Sequence, residues 1–303
     1  MLDHNITFDR VVIVEQGTEY DRMSLRYGSD EQAAFALNSR GTDLGNYQKL
    51  SAVYYSNAKK VTESIQGLPV ERIKIDYVPL FNWQASDIVV LIGQDGLFPN
   101  VAKSLTTQPV ICVNPDPTQV SGVIMIHHPD SIKTLVRAVR DHVVNIKPVS
   151  LGKVTTNDGQ ELLAANDFLI GRLDHRSARY RINHQTRTEN HISSGVIVAT
   201  PLGSTGWIKS AMRHVDSNWL RNLGEWETET LTFFVREAFE SINTQTQIRY
   251  GGVNIHNPLT IYSEMPEGGV IFSDGMFEQY ITFTTGTIAT FGLAKHKINY
   301  VDI

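Results

Sequence analysis

The chain has 303 residues, of which 41% are hydrophobic and 19% charged; this is too apolar for disorder and long enough for two ordinary domains. Lysine and arginine number 27 against 32 aspartates and glutamates, a formal net charge of −5, and no dense basic run is present to meet a phosphodiester backbone, so nucleic acid is not an expected partner. The opening Met1-Leu2-Asp3-His4-Asn5 lacks the basic flank and apolar run of a signal peptide, and no stretch approaches the ~18 apolar residues of a membrane helix, so a cytoplasmic protein with no membrane partner is expected.

Val11-Val12-Ile13-Val14 is an unbroken apolar run of the buried-strand type. Ser29 and Gln32 read as a capping box before Ala33-Ala34-Phe35-Ala36-Leu37, with Gly41 as the stop. Leu50, Val53, Tyr54, Ala58, Val61 and Ile65 recur at helical spacing and predict one apolar face of a longer helix that ends near Gly67 and Pro69. Ile73, Ile75 and Tyr77 alternate as a strand, and Ile88-Val89-Val90-Leu91-Ile92 is the most strongly buried strand candidate. A short helix through Val101 and Leu105 is expected next, then a strand at Val110-Ile111-Cys112-Val113. The single cysteine there excludes a disulfide within the chain and reads as a small core residue. Asp130 is placed to cap a helix whose apolar face is Ile132, Leu135, Val136, Val139 and Val143.

From about Lys147 the texture changes to short β-forming runs broken by glycine, asparagine and proline. Examples are Val196-Ile197-Val198, Leu259-Thr260-Ile261-Tyr262, Tyr280-Ile281-Thr282-Phe283 and Lys297-Ile298-Asn299-Tyr300-Val301, with helix expected only from Trp207 to Met212 and near Arg236. The expected fold is an α/β N-terminal domain with a largely parallel sheet, residues 1–147, followed by a β-rich C-terminal domain, residues 148–303. The boundary falls between residues 144 and 151.

The buried strand at 88–92 runs directly into Gly93-Gln94-Asp95-Gly96. Ligands favour the carboxyl ends of strands in open α/β sheets. Glycines there let the backbone approach a ligand, and amides at a following helix start face phosphate oxygens. An aspartate in such a turn can take a proton from an attacking hydroxyl. Taken alone, Asp-Gly is also a common turn. A second strand-to-turn passage, Thr200-Pro201-Leu202-Gly203-Ser204-Thr205-Gly206-Trp207, suits a ribose or phosphate at a helix entrance, or is a plain helix cap. Leu202 stands where a nucleophile elbow needs its first glycine. Asn166 and Asp167 put two polar side chains inside an apolar segment, where they need partners in a ligand or in neighbouring backbone.

These segments, in this order, resemble the NAD kinases. That family's phosphate turn reads Gly-Gly-Asp-Gly, its middle segment Asn-Glu and its later loop Thr-Pro-Thr-Gly-Ser-Thr-Ala-Tyr. Phe272-Ser273-Asp274-Gly275-Met276 resembles its Asp-Gly-Gln element. The resemblance implies an ATP-dependent kinase that phosphorylates NAD at the adenosine ribose 2′-hydroxyl to give NADP. Asp95 would be the catalytic base, and Gly93, Gln94 and Gly96 would meet the ATP phosphates together with Gly203, Ser204 and Thr205. Asn166, Asp167, Ser194, Gly206 and Trp207 would hold the acceptor. Magnesium is expected with ATP rather than on a dedicated protein site, and the assembly is expected to be a homodimer or homotetramer.

The sequence departs from the family at Gln94, at Asp167 for glutamate, at Leu202, at Gly206-Trp207, and at Ser194 for an aspartate that helps hold the dinucleotide. These changes gather on acceptor recognition and leave open a different nucleoside, sugar or related alcohol as acceptor, or a nucleotide-binding sensor without turnover. A hydrolase finds no partner arrangement around Ser204. The ten histidines form no metal-ligand motif, and neither Gly-x-Gly-x-x-Gly nor a P-loop pattern occurs. Arg172, His175, Arg176, Arg179 and Arg181 read as a solvated strand face or, if turned to the cleft, as a contact for acceptor phosphates or ATP, and Asp116 as turn chemistry.

Overall fold

The computed structural model of the chain describes residue 2, residues 5–213 and residues 224–302. Two compact units result: Met1–Ile146 with Asn299–Ile303, and Lys147–Ile298. In the first, β1 (Arg10–Glu15) is followed by α1 (Glu19–Tyr27), α2 (Asp30–Asn38) and α3 (Leu44–Ser64). Then come β2 (Val70–Lys74), β3 (Asp87–Ile92), α4 (Leu97–Ala102), β4 (Pro109–Val113) and α5 (Ile132–Arg140). The strands pair in the order β2-β1-β3-β4, all parallel, and Asn299 and Tyr300 extend the sheet beside β4. β3 and β4 are buried along their whole length, as apolar runs covered on both faces require. Tyr54, Ala58 and Val61 of α3 and Ile132, Val136 and Val139 of α5 close the core.

Several local expectations change. β2 pairs with β1 from Val11 with Val70 to Glu15 with Lys74, so its ladder stops where β1 stops. Ile75 and Tyr77, expected in a strand, lie instead in a 3₁₀ turn, Ile75–Leu80. α3 starts earlier than its apolar stripe, because Asp43 caps it by accepting from the Gly45 N–H at 3.0 Å. Leu50 and Val53, expected on its buried face, are 51% and 39% exposed. Asp130 does not cap α5; it lies in a 3₁₀ turn, Pro129–Ser131, and pairs with Lys60. Val143 lies beyond the end of α5 and is 75% exposed. α1 was absent from the sequence expectations; it buries no residue fully, and its short stripe Tyr20, Met23 and Tyr27 packs on a small cluster away from the sheet core. Its signal was the capping box: the Thr18 hydroxyl accepts from the Asp21 N–H at 3.3 Å, and the Asp21 carboxylate accepts from the Thr18 N–H at 2.6 Å.

The second unit contains β5 (Ile146–Thr156), β6 (Glu161–Ala164), β7 (Asp167–Arg172), β8 (Ala178–His184), β9 (Arg187–Ser193) and β10 (Val196–Ala199). After α6 (Trp207–Met212) follow β11 (Leu231–Val235), β12 (Tyr250–Val253), β13 (Leu259–Ser263), β14 (Gly269–Ser273), β15 (Met276–Thr282) and β16 (Ile288–Val301). One antiparallel sheet runs β12-β11-β10-β7-β14-β15. β16, β13, β8 and β9 form a second antiparallel run. Phe168 and Phe233 of the first sheet share a core with Tyr180, Ile261 and Phe291 of the second. The helix expected near Arg236 is not formed: Arg236 donates its N–H to Gly195 and accepts from the Ser194 N–H, which holds it extended. Among the described residues, no helix is long and apolar enough to cross a membrane.

Asp87 is fully buried at the start of β3, and its two oxygens accept from Arg10 Nε at 2.7 Å, Arg10 Nη2 at 2.9 Å and the Gln84 N–H at 2.7 Å. Removing Asp87 leaves the Gln84 amide and the Arg10 Nε donor without their acceptor, although Arg10 keeps Glu71 at 2.9 Å. Asp87→Ala is expected to lower stability by about 3 kcal/mol in urea denaturation; a loss below about 1 kcal/mol would contradict this assignment.

Candidate functional site

In the first unit, Gln16, Gly93 and Asn114 follow the carboxyl ends of β1, β3 and β4. The Gln94 N–H donates to Gln16 Oε1 at 2.9 Å, and the Gly93 N–H donates to the Val113 carbonyl at 3.3 Å. A Cβ on Gly93 would lie 2.6 Å from Gln16 Oε1, so any larger residue would have to displace the Gln16 side chain that holds the Gln94 N–H. α4 has six residues and stops short of Leu105, which was expected within it. Its first amides are not open to a ligand: Leu97 and Phe98 donate to the carbonyls of Gln94 at 2.8 Å and Asp95 at 3.3 Å. The N–H groups of Asp95 and Gly96 have no partner among the described residues and are the open donors of the turn.

The Asp95 carboxylate serves the loop that follows β4. Oδ1 accepts from the N–H groups of Ile124 at 3.0 Å and Met125 at 2.9 Å, and Oδ2 accepts from Val123 at 2.8 Å. A carboxylate has about four lone-pair positions, so one remains, on Oδ2. Tyr54 braces the same strand ends, donating to the Ile92 carbonyl at 3.0 Å and accepting from the Gly17 N–H at 3.4 Å.

In the second unit, Asn166 and Asp167 join β6 to β7. Asp274 accepts from the N–H groups of Ala165 at 3.1 Å, Asn166 at 2.6 Å and Asp167 at 3.2 Å, and its own N–H donates to the Asp167 carbonyl at 2.9 Å. From the other side, Thr200 donates its N–H to the Asn166 carbonyl at 2.8 Å, and its hydroxyl donates to the Ala165 carbonyl and accepts from the Gly203 N–H at 3.0 Å. A Cβ on Gly203 would fall 1.9 Å from the Asn166 carbonyl oxygen, so only glycine fits. The backbone of this pair is therefore satisfied, whereas its two side chains have no hydrogen-bond partner among the described residues. Burial, with the Asp274 carboxylate adding to it, pushes Asp167 up to about 7. Near neutral pH its carboxyl offers either a donor or an acceptor.

Ser204 is buried and its hydroxyl donates to the Pro201 carbonyl at 2.6 Å; that of Thr205 donates to the Leu202 carbonyl at 3.1 Å. Both hydroxyls thus present lone pairs outward and must rotate to donate to a phosphate. Ser194 is exposed at the start of β10, the opposite end from Thr200, and adjoins Arg236. Gly206 is exposed and Trp207 is 41% exposed, with the Arg236 guanidinium 5.4 Å above the indole ring. The unit thus gathers Asn166, Asp167 and Gly203 at one end of β10, while Ser194 is linked to Trp207 through Arg236.

The basic stretch differs in part from a solvated face. Arg176, Arg179 and Arg181 are exposed, but the Arg172 side chain is only 6% exposed and grips Asp174 at 2.8 and 2.9 Å. Arg172, then Arg176, holds Asp174 well below the usual carboxylate range. Asp116 is turn chemistry, its carboxylate accepting from the Thr118 hydroxyl at 2.6 Å. Gln16 and Tyr54 were missed as site residues, and Thr200 was singled out only as part of its loop; Gly17, two residues beyond β1, was the visible signal for the first-unit pair. Among the described residues, no group of three or more His, Cys, Asp or Glu could hold a metal ion.

A parallel α/β unit followed by a two-sheet β unit is the architecture shared with solved NAD kinases. The chain is similar in structure to an NAD kinase from Archaeoglobus fulgidus solved in complex with ATP, at TM-score 0.58 and 15% identity over 97% of this chain and 93% of that one. Yeast NADH kinase complexed with NADH is similar at TM-score 0.64 and 12% identity, over 99% and 84%. In sequence, the NAD kinases of Rickettsia rickettsii and Rickettsia bellii are each 27% identical to it, over 175 and 176 residues. Those matches cover 55% and 56% of this chain but only 63% and 64% of the relatives, less than two thirds of their length. No protein-family model matches the chain. The fold is that of the NAD kinases, carried by a divergent sequence.

Two measurements check the second-unit geometry. Gly203→Ala is expected to lower the melting temperature by several degrees, since its Cβ meets backbone; an unchanged melting temperature would contradict the close approach. Asp167 holds its proton more tightly folded than unfolded, so its contribution to stability is full below about pH 4 and lost as pH rises through about 7. The stability difference between wild type and Asp167→Asn should therefore shift against the wild type from pH 5 to pH 8. A difference that is flat with pH would show that Asp167 is not raised.

Proposed function

We propose that the chain is an ATP-dependent kinase that transfers the γ-phosphate to the 2′-hydroxyl of the adenosine ribose of NAD, giving NADP. The observation that carries this reading is the Gly-Gln-Asp-Gly turn at the carboxyl end of the parallel sheet, where Asp95 and Gly96 keep open N–H donors beside a carboxylate with one open lone-pair position. Those N–H groups receive phosphate oxygens. The free position on Asp95 Oδ2 accepts the proton of the attacking hydroxyl as its oxygen bonds to the γ-phosphorus. The bond to the bridging oxygen breaks, and ADP leaves with that electron pair. Magnesium would come with the ATP phosphates and neutralise their charge, leaving the open Asp95 position to the proton.

Asn166 and Asp167 are assigned to the acceptor nucleoside, their open side chains projecting from a strapped backbone. Gly203, Ser204 and Thr205 are assigned to the nucleotide phosphates or ribose, and Ser194, Gly206 and Trp207 to the remainder of the acceptor. One observation favours a second reading, a nucleotide sensor without turnover: Asp95 already anchors three amides, a sufficient reason for its presence.

Purified protein with ATP and magnesium is expected to form NADP from NAD, and Asp95→Asn to lower kcat at least about 100-fold, the scale of general-base catalysis. Because asparagine also weakens the amide anchor, its melting curve fixes a temperature at which both proteins are folded for the comparison. ATP binding with no product for any acceptor favours the sensor. Unchanged turnover in Asp95→Asn removes the base.

A further inference from the structure

A hollow of about 190 Å³ opens in the first unit beside the 93–96 turn. Tyr20, Tyr47 and Tyr54 give it three aromatic walls, and Leu50 and Val120 add aliphatic ones. Its volume is a little above the roughly 150 Å³ in which an apolar cavity holds one benzene ring. That suits a single flat ring system. The walls are fixed: Tyr54 is hydrogen bonded to the ends of β1 and β3, and the Tyr20 hydroxyl donates to the Asp30 carboxylate at 2.9 Å. α1, which buries nothing in the sheet core, instead packs Tyr20 and Met23 with Tyr47 in a separate cluster around Ala33, Leu37 and Leu44.

A second hollow, about 260 Å³, shares Gly93, Gln94, Asn114 and Val120 with the first and continues to Asp95 and Gly96. The two form a track within one unit, aromatic at one end and carrying the open N–H donors at the other. Gln94 lies at the junction, its N–H held by Gln16 Oε1, a carbonyl that a phosphate oxygen can replace.

We propose that the tyrosine-walled hollow receives the base of the phosphate-donor nucleotide, whose phosphates then cross Gln94 to reach the N–H groups of Asp95 and Gly96. This rests on the 93–96 turn being the phosphate turn. Flat bases stack on aromatic side chains whatever their identity, so the hollow selects a nucleotide over a bare polyphosphate. The helical segment from α1 to α3, rather than the sheet, then sets donor affinity.

Leu50 is 51% exposed, stands outside the sheet core and lines only the first hollow, so Leu50→Trp fills that hollow while sparing both the core and the phosphate turn. Calorimetric titration with magnesium-bound ATP, with magnesium tripolyphosphate and with NAD separates the outcomes. Leu50→Trp is expected to raise the Kd for ATP at least ten-fold while that for tripolyphosphate stays within two-fold of wild type. Unchanged ATP affinity overturns the proposal, as does an equal loss of ATP and tripolyphosphate, or a loss confined to NAD. If wild type binds neither ATP nor tripolyphosphate, the phosphate-turn reading fails first and this one with it. Independently of any variant, photolabelling of the wild type with 8-azido-ATP should mark residues 16–27 or 44–64; label confined to the second unit overturns the assignment.

Discussion

Backbone N–H groups left over where strands end must find acceptors, and in this chain two aspartates supply them. Asp95 takes three amides of the loop after β4, and Asp274 takes three of the segment that joins β6 to β7. A buried amide without a partner costs about 1–3 kcal/mol, and a charged acceptor makes the stronger bond. Each carboxylate thereby fixes the path of a loop that carries or flanks a proposed ligand contact. The same demand explains Thr200, whose backbone and hydroxyl satisfy the other side of the Ala165-Asn166 backbone.

This constraint separates the roles of acidic groups that look alike in sequence. Asp274 is consumed by its anchoring bonds, whereas its neighbour Asp167 has no partner among the described residues and is raised towards neutrality by burial and by Asp274 itself. Asp95 stands between the two, anchoring its loop yet keeping one lone-pair position. With Ser194 next to Arg236, and Trp207 beneath the same guanidinium, the second unit carries a neutral hydroxyl near a cation.

The sheet strands were legible because full burial forces continuous apolar runs, as at Val11 to Val14 and Ile88 to Ile92. What escaped was structure whose cause lies far along the chain or in capping chemistry. The end of β2 is set by the end of its partner β1, so no local pattern tells Ile75 and Tyr77 from strand residues. Position along a helix axis does not distinguish Leu50 from Tyr54; only the sheet beneath does. At the candidate site, the glycines and Asp95 were visible as a turn. The amides that Asp95 holds are 28 to 30 residues away and those of Asp274 over 100 away, beyond any motif. The need for glycine at 203 comes from the carbonyl of Asn166, equally remote in sequence.

The central claim is that a nucleotide's terminal phosphate, held at the 93–96 turn, passes to a hydroxyl of a second nucleotide. Its most direct test follows the destination of label from γ-³²P-ATP when the purified protein is offered a mixture of NAD, simple nucleosides and sugars. The account predicts label on NAD alone, as the 2′-phosphomonoester. Label appearing only as inorganic phosphate, or on no product at all, would contradict it.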